Sequence, residues 1–86
     1  MKANHDIVKK RLKLAKGQLE GILRMIDDDR YCIDISQQLL STIALLKQSN
    51  RIVLKAHLEA CVKEASGDDF SEKIQEIIEI MEKLNK

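Results

Sequence analysis

Eighty-six residues, 44% hydrophobic and 34% charged, make one small domain (1–86), too apolar for a disordered tail and lacking the run of roughly 20 apolar residues that a membrane span needs. Aromatics make up 2% of the chain (Tyr31 and Phe70), so any core must be aliphatic, and the lack of proline suits helices. The net charge of +1 conceals an asymmetry, with lysine and arginine loading the first quarter and acidic residues, Glu64 to Glu82, following Cys61.

The opening stretch, MKANHDIVKKRLK, lacks the apolar core of a secretory signal, and a cytoplasmic protein is expected. The first helix should run from about Asp6 to Asp28. Ile7, Leu12, Leu14, Leu19, Ile22, Leu23, Met25 and Ile26 recur near the helical period and give it a broad apolar face. Gly17 and Gly21 lie four apart inside it, each costing about 1 kcal/mol against alanine, which points either to a closely packed neighbouring helix or to a local bend. Asp27, Asp28 and Asp29 then break the pattern and mark a turn. Lys9, Lys10, Arg11, Lys13 and Lys16 make this helix a candidate polyanion face, with a merely solvated surface as the alternative.

The second helix is expected from about Ile33 to Val62, capped by Asp34 or Ser36. Leu39, Ile43, Leu46, Leu54 and Leu58 repeat along it at helical spacing, and its length is roughly 45 Å. One small domain cannot cover such a rod, so an oligomer is expected, built as an antiparallel helical bundle. Gly67 is a natural residue to end this helix, and Asp68 or Asp69 to begin a third, carrying Ile74, Ile77, Ile78, Met81 and Leu84 on one face to about Leu84. The fold class is all-α with three helices. No glycine-rich phosphate loop is present, which argues against a nucleotide enzyme.

Two cysteines in a reducing compartment, not spaced as CxxC, leave metal binding or thiol chemistry rather than a structural disulfide. His57 and Cys61, at i and i+4, project from one helix face, close enough to share an ion. Thiolate and imidazole suit Cu(I) and Zn(II). Ordinary packing of a cysteine is the plainer reading. Cys32 lies about 40 Å away along the same rod, and one straight helix cannot gather all three. An antiparallel partner can, by setting the start of one long helix beside the end of the other.

The segments RLKLAKGQLEGILRMIDDDRYCIDISQQL and SNRIVLKAHLEACV resemble the copper-sensitive operon repressor (CsoR) family of bacterial transcription factors over about the first three quarters of the chain. The resemblance implies three helices per protomer, an antiparallel dimer and a dimer of dimers. It implies a repressor that binds operator DNA as a tetramer and leaves it when the inducer binds. In the copper branch the Cu(I) ligands fall at Cys32 of one subunit and His57 and Cys61 of the other, with Tyr31 and Glu76 at the positions that link the ligands to helix packing; placing Glu76 requires a gap in SGDDFSEK. Arg11 matches a DNA-binding arginine of the family. A second such arginine falls near Gln48, leaving Lys47, beside Arg51, as a substitute contact.

Persulfide-sensing relatives keep both cysteines but lack the histidine, so a persulfide sensor using Cys32 and Cys61 is the alternative. The nickel, cobalt and formaldehyde branches fit less well, since position 61 is Cys and the chain has no proline. Zn(II) fits the same donors as a non-inducing ligand, with a water or His5 as fourth. A thiol enzyme with Cys61 as nucleophile and His57 as base is a further class, but no third orienting group stands out. A purely structural bundle is the last.

Overall fold

The computed structural model describes residues 1–64 and 68–84, with side chains described for 1–61 and 72–84. Three helices account for almost all of it: α1 (His5–Asp27), α2 (Cys32–Glu64) and α3 (Asp68–Leu84). No strand occurs among the described residues.

Helix α1 starts where Asn4 caps it. The Asn4 Oδ1 accepts from the Asp6 and Ile7 backbone N–H groups at 2.9 and 3.1 Å, satisfying two of the donors a helix start leaves open. Asp6 in the first turn complements the helix dipole. The aspartate run ends α1 as expected. The Asp29 N–H donates to the Ile26 carbonyl (3.0 Å) and the Arg30 N–H to the Met25 carbonyl (2.9 Å), the paired bonds of a Schellman turn. Asp29 takes the left-handed position at φ 52°, usually a glycine's place and tolerated by aspartate.

The chain passes directly from this turn into α2, whose first ladder bond runs from the Ile35 N–H to the Tyr31 carbonyl (3.1 Å). Neither Asp34 nor Ser36 therefore caps α2: both lie inside it, and Asp34 acts through its charge in the first turn. Gly67, expected to end this helix, lies outside the described residues. Helix α3 begins at Asp68, one of the two expected starts.

α1 and α2 form an antiparallel hairpin whose seam is narrow. Along α1 the buried residues are Val8, Ala15 and Ile22, one per heptad. Opposite them, α2 buries Thr42, Leu45 and Ser49. Thr42 Oγ1 donates to Gln18 Oε1 across the seam at 2.9 Å, with the Gln38 carbonyl as an alternative acceptor at 3.1 Å. Ser49 Oγ donates to its own helix at the Leu45 carbonyl (2.9 Å), so neither buried hydroxyl is left without a partner.

The broader apolar face expected of α1 is real but uncovered. Leu14, Leu19, Leu23 and Ile26 are exposed, as are Leu39, Leu40 and Ile43 on α2. The two glycines of α1 receive no close neighbour within the chain: a Cβ at Gly17 would meet nothing within 4 Å, and one at Gly21 only the Arg24 side chain at 3.7 Å. α3 packs on α2 alone, burying Ile77 but leaving Ile78 and Met81 exposed. One neighbouring helix is too narrow to cover the whole apolar face.

The result measures 57 × 27 × 12 Å, with a radius of gyration of 17.0 Å. A compact domain of this length would have about 12 Å. The chain is an extended slab one helix thick.

Candidate functional site

Helix α2 carries all three expected ligands. Near its end, the i, i+4 spacing brings His57 Nε2 to 3.6 Å from Cys61 Sγ. Two donors bound to one ion at about 2.0–2.3 Å each can stand up to about 4.4 Å apart, so this pair fits a shared soft ion without rearrangement. Cys61 is 6% exposed, while His57 lies on the surface and gives the pair its open side. The first residues of the chain lie close by: Ala3, Asn4 and Ile7 line a shallow cleft with Ile52, Ala56 and Glu59.

At the other end, Cys32 is the first residue of α2 and is exposed. Its separation from Cys61 is about 44 Å along the helix. Within one chain the structure therefore brings together two of the three expected ligands and keeps the third apart. Among the described residues no three His, Cys, Asp or Glu side chains form a group able to hold a metal. His5, an expected extra ligand for zinc, is exposed at the start of α1 and joins no such group.

Tyr31 and Glu76 are also apart. Tyr31 is 68% exposed beside Cys32, whereas Glu76 is exposed on α3, which packs along the far end of α2. That packing leaves an apolar groove of about 270 Å³ lined by Leu54, Leu58, Ile77, Met81 and Leu84, with Arg51 and Lys55 at its edge.

Of the expected DNA-contacting cations, Lys9, Lys10, Lys13 and Lys16 are exposed on α1 and Lys47 is half-buried on α2. Arg11 turns toward α2, where its Nη1 donates to Gln48 Oε1 at 3.4 Å. Arg51 joins them along a cleft completed by Ile52. Gln48 was legible in the sequence only as a departure from a family arginine. The signal that marks it as a partner of Arg11 is their nearly equal distance from the turn at 28–31, which sets them opposite each other in an antiparallel hairpin.

Comparison with known proteins points to a metal-responsive repressor family. Residues 4–83 match the family model described as metal-sensitive transcriptional repressor. The chain is 45% identical over 58 residues to the copper-sensing transcriptional repressor CsoR of Mycobacterium ulcerans, covering 67% of this chain and 50% of that protein. It is 39% identical over 70 residues to the protein of the same name from Mycobacterium tuberculosis, covering 80% and 59%. With its Bacillus subtilis namesake it shares 36% identity over 82 residues, covering 94% and 81%. The chain thus spans about half to three fifths of the length of those two mycobacterial relatives. No solved structure gives a significant match.

Proposed function

The chain belongs to the metal-sensitive transcriptional repressor family, and from that premise we propose that it is a Cu(I)-responsive repressor that holds operator DNA when metal-free and releases it on metal binding. One observation carries the reading: a ready-made His57–Cys61 pair at one end of a helix whose other end holds a lone exposed thiol. Two chains paired antiparallel would set Cys32 of each beside His57 and Cys61 of the other, giving two identical S,N,S sites per dimer. The uncovered apolar faces of α1 and α2 are the surface on which such a dimer, and a dimer of dimers, would close.

In this reading the thiolates of Cys32 and Cys61 neutralise a soft monovalent ion, and the His57 imidazole fixes its direction. Bound there, Cu(I) supplies a crosslink between subunits and no reaction. His57 and Cys61 are then held against the partner's Cys32 and Tyr31, and Glu76 on α3 carries the change to helix packing. Zn(II) would occupy the same donors with a further ligand, without the same effect. Lys9, Lys10, Arg11, Lys13, Lys16, Lys47 and Arg51 supply the DNA face. A coupling of about 1–3 kcal/mol would change operator affinity roughly 5- to 150-fold, and DNA would weaken metal binding by the same factor.

The test is an anaerobic titration of the reduced protein on its operator DNA, with Cu(I) and separately with a persulfide donor. Release at one Cu(I) per protomer, abolished by His57→Ala, is the expected result. Release by persulfide alone, indifferent to His57, would replace this reading with a persulfide sensor using Cys32 and Cys61.

A further inference from the structure

Helices α2 and α3 meet along a strip that leaves a groove between them. Its lining follows the order an antiparallel hairpin imposes: Leu58 with Ile77, Leu54 with Met81 and Arg51 with Leu84, each pair equally far from the join between the helices. Ile77 is buried in this seam, Leu54, Leu58 and Leu84 are half-buried, and Met81 is 47% exposed. About 270 Å³ between the helices stays open.

Arg51 and Lys55, one turn apart on α2, are the charged groups at the edge of this groove, and no carboxylate lines it. Both are exposed, and neither has an ion-pair partner among the described residues. An apolar side chain from a second copy would fill the groove and leave both cations idle. An apolar body with one anionic end would use everything the groove presents. A guanidinium holds a carboxylate through two parallel N–H donors, and the lysine adds a second positive charge. At roughly 30 Å³ per water-sized group the space takes about nine such groups, which is one acyl chain of about ten carbons and not the paired chains of a membrane lipid. Met81, unbranched and flexible, suits a wall that adapts to such a chain.

We propose that the α2–α3 groove binds a free fatty acid of about ten carbons, with its chain between Leu54, Leu58, Ile77 and Met81 and its carboxylate on Arg51 and Lys55. None of Cys32, His57 and Cys61 lines this groove, so the site is separate from the proposed metal ligands. Arg51 also lines the cleft with Arg11 and Gln48, so the bound carboxylate would neutralise one cation of the proposed DNA face. That consequence rests on the repressor reading. The binding of the acid does not.

The experiment titrates the whole chain, reduced, metal-free and without DNA, with octanoate, decanoate, dodecanoate and the neutral decanol, followed by calorimetry below the concentrations at which micelles form. One decanoate per protomer is expected. Binding should tighten about two- to fourfold per added methylene up to about ten carbons and level off beyond. Lys55→Met should weaken decanoate about three- to fivefold and leave decanol unchanged. Met81→Glu sets a like charge in the groove at an exposed position and should abolish decanoate binding, with circular dichroism checking the fold. Decanol bound as tightly as decanoate, or decanoate indifferent to both substitutions, would overturn the proposal. So would capture by anionic phospholipid vesicles without any binding of free decanoate. An assembly that Met81→Glu breaks apart in sedimentation would give the groove to a second copy and overturn it too. A second arm measures operator binding against salt at saturating decanoate, where the slope of log affinity against log salt should flatten by about 0.9. Decanoate bound with operator affinity unchanged would keep the site and overturn its link to DNA. Decanoate bound by a protein that holds no operator DNA at all would keep the groove and overturn the repressor reading.

Discussion

The two ends of α2 carry the same element in opposite settings. Cys61 is buried at 6% exposure with an imidazole 3.6 Å away, whereas Cys32 stands exposed between Tyr31 and Ile33, themselves 68% and 52% exposed. In the proposed site, one end supplies two of the three ligands and the other supplies the third, which has no second donor beside it among the described residues. The difference teaches that the fold of one chain builds the demanding part, two donors at fixed separation. The remaining ligand is left to whatever meets the start of the helix.

The sharpest way to break this comparison is complementation. Cys32→Ser and Cys61→Ser should each abolish Cu(I)-driven release, removing the whole 5- to 150-fold response expected of the wild type. When the two variants are mixed and allowed to exchange subunits, about one quarter of the wild-type copper stoichiometry should return, because half of the dimers are mixed and each of those holds one intact site of two. If the mixture stays silent, the ligands do not come from different chains.

A smaller effect should separate the thiols chemically. Timed alkylation of the reduced, metal-free protein, read by mass spectrometry, should label Cys32 about ten times faster than Cys61, since the reagent reaches the exposed thiol more readily than the buried one. Equal rates would erase the distinction between the ends.

Two further substitutions perturb the ends one at a time. Asp29→Val places a β-branched residue at φ 52° in the turn beside Cys32 and should cost about 1–2 kcal/mol in a urea melt. Asn4→Ala removes the cap of α1, whose first turn lies against Ala56 at the His57 end, and should cost about 1 kcal/mol. Only the second should also loosen the His57–Cys61 pair, seen as a broadened His57 ring resonance.

Much of this architecture was written plainly in the chain. The apolar period of 3.6 located all three helices to within a residue or two, and the i, i+4 spacing of His57 and Cys61 foretold their contact. The expected caps of α2 failed because Asp34 and Ser36 are good capping residues in the wrong place. Backbone bonds of the Asp29 turn lead straight into the helix, and local preference yields to them. The apolar face expected of α3 is only half covered, since period says which residues share a face but not how wide the neighbour is. The Arg11–Gln48 contact joins residues 37 apart, and no local pattern encodes a pairing that depends on the length of a turn.

A slab 12 Å thick has two broad faces and only a thin inside. A chain built so leaves many of its leucines exposed, and if a second copy covers them, as proposed, becoming ordered and finding that copy are one event. The stability of such an assembly would carry units of concentration: dilution should unfold it, and its melting temperature should climb as more of it is added. A cell holding few copies would then set the working strength of this molecule partly by how many it makes.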